Sequence, residues 1–277
     1  MNHNRKILYL FTRTPLHVGA GSSVGAVDQP IIRERHTGYP VIPGSSLKGV
    51  LRDVCRNDEQ LKGKEEAIFG KQDDAGKLAI GEAKILAFPV RSARGSFAFV
   101  TSVLALDRFR REHGGLKDLP ALTEPNDMHC LAGDAVTISR NGQTGVVLEE
   151  YKFTAAGKFD AKWEDALLKL LPDDAVWQTG KGRFVLLSQG DFAHFVRNAC
   201  EVQQHVGIKP ETGTAKPGAL FNLEAVPAET LFFAPVEALT RANGELTDFE
   251  ALLQRRPILQ LGGDSTTGLG FCTVKLA

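Results

Sequence analysis

Apolar positions along this chain fall into short runs of strand length, interleaved with stretches of helical period. Residues 7–12, ILYLFT, are such a run. Residues 14–29 follow with Gly19, Gly21, Gly25 and two serines, a loop of a length that is usually functional or disordered. Residues 30–33 predict a short strand and His36-Thr37-Gly38 a turn. Leu47, Val50, Leu51, Val54 and Cys55 then recur at i, i+3, i+4, i+7 and i+8, the stripe of one buried helix face. Pro43-Gly44-Ser45-Ser46 before them predicts a serine N-cap.

Strands are predicted over 77–88 and 96–101, joined by a turn at Arg94-Gly95, then a helix over 104–112. Residues 114–134, with two prolines, read as loop; 146–153 as strand, 163–171 as helix, 184–187 as strand and 192–197 as a short helix. Residues 202–208 and 219–226 flank KPETGTAKPG, which predicts a long hairpin. Its first strand places Val202, Val206 and Ile208 on one face and Gln203, His205 and Lys209 on the other. A strand over 231–236 precedes a helix over 246–255, introduced by Asn243-Gly244 and stopped by Pro257. A strand over 258–261 runs into LGGDSTTGLG, and one over 271–276 ends the series. The order strand, helix, strand, strand, helix predicts an α+β fold with an antiparallel sheet, and a ferredoxin-like core with insertions fits it.

Composition narrows the class. The 277 residues suffice for one large domain or two small ones, and 43% apolar with 24% charged residues is ordinary for a soluble globular protein. No apolar run approaches the roughly 18 residues of a membrane helix, and the N-terminal MNHNRKILYLFTRTP reads as a first strand, not a signal peptide. Cys55, Cys130, Cys200 and Cys272 lie far apart, which argues against a zinc site or disulfide framework and predicts reduced thiols in a cytoplasmic protein. The net charge of zero runs against the basic excess of isolated nucleic-acid binders. Between residues 32 and 56, however, Arg33, Arg35, Lys48, Arg52 and Arg56 face only Glu34 and Asp53, which allows a local basic stripe.

Four segments hold candidate chemistry. In the 14–29 loop, His17 and Asp28 suit acid–base work or the positioning of a metal and a phosphate; a mobile loop whose Asp caps a turn is the bland reading. The helix start joins Ser45, Ser46 and Lys48, a setting that favours an anion, although it is not a P-loop; a capped surface helix with solvated lysine and arginine is equally open. The terminal loop carries Gly262, Gly263, Gly268 and Gly270 with Thr266 and Thr267, and could cradle phosphate through backbone N–H groups or simply connect two strands tightly. No Rossmann site follows, because no helix succeeds it. The hairpin is either an ordinary sheet element or a projecting arm able to wedge between bases, and Glu224 near its return is a second carboxylate or a solvated strand charge.

Together these segments resemble one family. HVGAGSSVGAVDQPIIRERHTGYPVIPGSSLKGVLR resembles the N-terminal signature of the repeated backbone subunit of type III-B (Cmr-type) CRISPR effector complexes, part of the wider RAMP group. FPVRSARGSFAFVTS, GALFNLEAVPAETLF and LQLGGDSTTGLGF follow in matching order, while residues 114–180 match nothing specific. The resemblance implies a single RAMP domain over 1–277, with an RNA-recognition-like palm and a β-hairpin thumb at 200–227. It implies a filament of copies along a guide RNA, other effector subunits as partners, and no membrane. It also implies divalent-metal-dependent cutting of the paired target RNA beside each thumb, with Mg²⁺ the expected ion. Carried over, Asp28 matches the catalytic aspartate, Glu224 the acid near the thumb's return, and Lys48 the guide-contacting lysine. His17 joins the catalytic candidates; Ser45, Ser46, Arg52 and the Gly262–Gly270 loop join the RNA-binding ones. A non-cutting filament subunit, a guide-processing endonuclease and a small-molecule enzyme are the competing readings.

Overall fold

The computed structural model describes residues 4–239, 242 and 244–277; Asn243, half of the predicted helix start, lies outside the described residues. β1 (Arg5–Thr12) explains why its apolar run is unbroken: both faces are buried. Leu8 and Leu10 enter one core, with Leu47, Leu51 and Phe232. Ile7, Tyr9 and Phe11 enter a second, with Phe109, Trp163 and Trp177.

In chain order, α1 (Gly44–Arg56) follows β1, then β2 (Ala83–Ser92), β3 (Ser96–Ser102) and α2 (Val103–Glu112). Next come β4 (His129–Ala132), β5 (Ile138–Arg140), β6 (Gln143–Leu148), β7 (Tyr151–Lys158), α3 (Ala161–Leu168), β8 (Phe184–Leu187) and α4 (Gln189–Asn198). The hairpin β9 (Glu201–Ile208) and β10 (Ala215–Ala225), then β11 (Leu231–Ala238), α5 (Glu245–Arg255), β12 (Ile258–Gln260) and β13 (Phe271–Leu276) complete the chain. A 13-stranded sheet follows the path β12-β13-β1-β11-β2-β3-β8-β4-β7-β6-β5, with the short strands Val41–Ile42 and Leu78–Ile80 paired to β2 and β11. β9 and β10 pair only with each other.

Two regions meet in this sheet. β13, β1, β11 and β2 are successive antiparallel neighbours, and α1 and α5 cover one face of them through Leu47, Leu51, Phe249 and Leu252. The stretch from β3 to α4 extends the sheet and closes the other face with α2 and α3. There the predicted antiparallel sheet is corrected: β8 runs parallel to β3, and β7 parallel to β4. Long connections that cross a sheet face allow parallel pairing. The architecture is therefore a large mixed sheet with helices on both faces.

Local departures have local causes. Residues 30–33 form no strand, only isolated bridges from Ile31 to Gly19 and from Arg33 to Pro40. The 77–88 run breaks at Gly81, which packs against Pro235. The predicted loop contains β4. The 146–153 run is a hairpin, turning at Glu149 with φ of 50°. Pro43, not a serine, caps α1, without a side-chain cap bond, and Ser45 and Ser46 lie exposed in its first turn. The four cysteines are free, and no described helix is long and apolar enough to cross a membrane.

Leu51 is wholly buried between α1 and the sheet. Leu51→Ala is expected to cost about 2–5 kcal/mol in chemical unfolding, and a loss under about 1 kcal/mol would show that the site collapses without a cavity.

Candidate functional site

The hairpin alternates as predicted, but its apolar face is the open one. Val202, Val206, Ile208 and Leu220 are exposed, whereas Glu201, Gln203 and His205 are half-buried. His205 stacks on Phe221 at 5.1 Å between ring centroids. Phe221, Leu223 and Ala225 pack with Leu269 of the terminal glycine loop.

The 14–29 loop is pinned to this hairpin's return strand at both ends. Leu16 and Val226 exchange backbone hydrogen bonds of 2.8 and 2.9 Å. At the far end Gln29 N–H donates to Asn222 O (3.0 Å), and Glu224 N–H donates to Gln29 O (2.9 Å). Between them the loop swings outward, and Val24 is fully exposed. Asp28 sits at the second pin. Its Oδ2 accepts the Asn222 N–H at 2.8 Å and its carbonyl accepts the Ser23 N–H at 2.9 Å. Oδ1 has no hydrogen-bond partner among the described residues, and the side chain is exposed. Asp28 is thus an oriented carboxylate with one oxygen bonded to a backbone N–H and the other without a partner among the described residues.

His17 and Glu224 are placed differently. His17 is buried; its Nδ1 lies 2.6 Å from Glu224 O, and its own carbonyl accepts the Gly263 N–H at 2.9 Å. Its ring pins the loop start to β10, and its backbone pins it to the glycine loop. Glu224 is 8% exposed. One carboxylate oxygen accepts the Ile31 N–H at 3.0 Å and the other pairs with the Arg33 guanidinium. The solvated strand charge expected at Glu224 is therefore corrected: burial without a partner would be costly, and Arg33 supplies the partner. Arg33 in turn leaves the predicted basic stripe.

The glycine loop also departs from its expected use. The N–H groups of Gly263, Thr267, Gly268, Leu269 and Gly270 all donate within the protein, to His17, Asp264, Ser265, Asp264 and Pro15 carbonyls. These five N–H groups are therefore engaged within the protein and are not open to a phosphate. Gly262 and Gly270 have φ of 75° and 81°, and a Cβ on either would overlap the carbonyl of His17 or Leu261. What the loop leaves outward is its exposed turn, with Thr266 and Thr267; the Thr267 hydroxyl donates to Asp264 O at 2.8 Å.

On α1, Lys48 and Arg52 lie one turn apart on a face that the buried stripe does not use. No described hydrogen bond or ion pair engages Lys48, and the buried Nε of Arg52 has no partner. No described bond joins Ser45, Ser46, Lys48 or Arg52 to the Asp28 loop. The thiols offer no nucleophile: burial pushes Cys55 and Cys200 up to about 11 and Cys130 and Cys272 up to about 12. Among the described residues no group of three or more His, Cys, Asp or Glu side chains could hold a metal ion.

The RAMP superfamily profile matches residues 10–273. The chain is 36% identical over 285 residues to the CRISPR system Cmr endoribonuclease Cmr4 of Pyrococcus furiosus, covering 96% of this chain and 94% of that one. The crystal structure of oligomeric Cmr4 from Pyrococcus furiosus superposes with a TM-score of 0.76 at 32% identity, covering 99% of this chain and 97% of that one. A chain of the type III-B Cmr-beta complex bound to cognate target RNA shares the fold, with a TM-score of 0.77 at 18% identity over 98% of this chain and 96% of that one.

Gly262→Ala meets both a left-handed backbone and the His17 carbonyl. It is expected to cost roughly 1–3 kcal/mol and to speed limited proteolysis within 14–29, whereas unchanged cleavage kinetics would show that the glycine loop does not hold His17.

Proposed function

Because the chain belongs to the RAMP superfamily, we propose that it is the repeated backbone subunit of a type III-B (Cmr-type) CRISPR ribonucleoprotein and cuts target RNA paired to the guide. One observation carries this reading: an exposed carboxylate, Asp28, is held at the root of a projecting hairpin by a backbone N–H of that hairpin. The 36% identity to a Cmr endoribonuclease over nearly the whole chain supports it. Guide RNA, target RNA, further copies of the chain and other effector subunits are its partners.

The finer fold reading follows the same line. β13-β1-β11-β2, antiparallel throughout with α1 and α5 on one face, supports a ferredoxin-like palm within a single RAMP domain over 1–277. β9 and β10 pair with no other strand, which supports a thumb over 200–227. The open apolar face, Val202, Val206, Ile208 and Leu220, suits a wedge against unstacked bases.

The chemistry needs little from the protein beyond placement. A nucleotide splayed at the thumb brings its 2′-oxygen in line with the adjacent phosphorus, and positioning supplies much of the rate. The 2′-oxygen bonds to phosphorus as its proton passes to Asp28, and the P–O5′ bond breaks. The 5′-oxygen leaves with a proton from water, and the other fragment ends in a 2′,3′-cyclic phosphate. His17 and Glu224 act by holding Asp28's segment. A divalent ion such as Mg²⁺ takes one or two carboxylates and fills its shell with phosphate oxygens and water. Among the described residues no group of three or more His, Cys, Asp or Glu side chains surrounds Asp28, so a resident metal site is not built there. Sequence is read by guide pairing, and the protein grips the RNA backbone with Lys48, Arg52, the Ser45-Ser46 helix start and the outward turn at Thr266.

In a reconstituted complex, Asp28→Ala is expected to abolish cleavage of labelled complementary RNA while leaving assembly and target affinity intact. Retained cutting would remove Asp28 from the chemistry. Parallel Mg²⁺ and EDTA arms read whether a metal enters with the RNA. Lys48→Ala is expected to weaken guide binding and reduce its salt slope by about one, and an unchanged slope would take Lys48 off the phosphate backbone.

A further inference from the structure

We infer that Arg33 is the positioning residue of the cleavage site, one guanidinium that locks both legs of the hairpin root to the segment carrying Asp28 and so sets where the cut falls. The inference rests on the proposed reading that Asp28 acts beside the hairpin. Arg33 lies five residues beyond Asp28. Its Nη1 donates to Val196 O at 2.7 Å and Gly38 O at 3.0 Å. Its Nη2 reaches Arg197 O and Cys200 Sγ, both at 3.4 Å, and pairs with Glu224 Oε1.

These partners come from both sides of the hairpin. Val196, Arg197 and Cys200 end α4 and lead directly into β9, the outgoing leg, and Glu224 lies on β10, the returning leg. The second oxygen of Glu224 accepts the Ile31 N–H, so one carboxylate holds the 28–33 segment at two points. Arg197 reciprocates by donating to Thr37 O, which fixes the turn just after Arg33. Rotation of the hairpin about its root therefore has to break the Arg33 contacts or carry Asp28 with it.

The chemistry of the residue excludes other roles. A guanidinium has no acceptor and keeps its proton, so Arg33 is no general base. Its Nη1 and Nη2 donors already serve protein oxygens and the Cys200 sulfur, so these two groups are not free phosphate contacts. Lysine would not replace it, because a point charge cannot serve carbonyls and a carboxylate in several directions as the planar fork does.

The test uses the reconstituted complex with guide and labelled target, read by single-turnover cleavage, fragment length and target affinity. Removing Arg33 alone would strand the Glu224 charge, so the main variant is Arg33→Met with Glu224→Gln, neutral groups of similar size; Arg33→Lys is the second. We expect both to assemble and to bind target within threefold of wild type. Cleavage should fall about a hundredfold in the double variant, with fragments spread over neighbouring positions, and at least tenfold in Arg33→Lys. Wild-type rate and fragment length in either variant would overturn the inference, as would target affinity falling in step with rate. Asp28→Ala runs alongside. If it still cuts, the catalytic reading fails first; if it is dead while the double variant cuts normally, only the role of Arg33 fails.

Discussion

The ion pair between the buried Glu224 and the half-buried Arg33 is the interaction on which the site depends. A buried carboxylate is tolerated only when its charge is matched and hydrogen-bonded, so Glu224 with its half-buried partner Arg33 draws residues 29–33 and 222–226 into one geometry. Everything around it is consistent with that demand. Gln29 adds to the edge of β10, Asp28 takes the next N–H along, and His17 bonds the carbonyl of Glu224 itself. The exposed carboxylate is therefore fixed by buried neighbours, not by its own burial. A group can stay open to a large substrate and still be rigidly placed.

The rest of the fold supplies the platform. β1 is central and buried on both faces, and it delivers the chain into the Asp28 loop, while β13 on one flank brings in the glycine loop and β11 on the other leaves the hairpin. Three segments distant in sequence thus reach one end of the sheet. The hairpin's apolar face stays uncovered, with Val202, Val206, Ile208 and Leu220 exposed. On the proposed reading, a filament on RNA would use that face, and a chain with no net charge can keep acidic and apolar surface for its neighbours.

Legibility followed the range of each signal. The α1 stripe, β8, β13 and the hairpin were readable because periodicity and turn residues are local. The parallel pairings were not, since they depend on how the chain crosses the sheet between Ser102 and Phe184 and between Ala132 and Tyr151, which no local signal reports. The 146–153 hairpin hid because Glu149-Glu150 carries no turn chemistry. Asp28 entered through family resemblance; spacing alone left it an ordinary loop acid. The partnership of Arg33 with Glu224, 191 residues away, has no local trace, so in the sequence Arg33 reads as part of a basic stripe and Glu224 as a strand charge. The glycine loop is a related case: its composition suits a phosphate cradle, but five of its N–H groups are engaged, two by carbonyls of the first loop and three by carbonyls of the glycine loop itself.

The central claim is that each copy in the complex cuts target RNA with its own Asp28. Reconstitution from mixtures of wild-type and Asp28→Ala chains tests it most directly, read as the intensity of each cleavage product against the fraction of variant. If each copy cuts independently, every rung of the ladder should fade in proportion to that fraction while the spacing stays fixed. A ladder that persists undiminished when nearly all copies carry the variant would place the cutting group in another subunit and leave this chain a guide-binding scaffold.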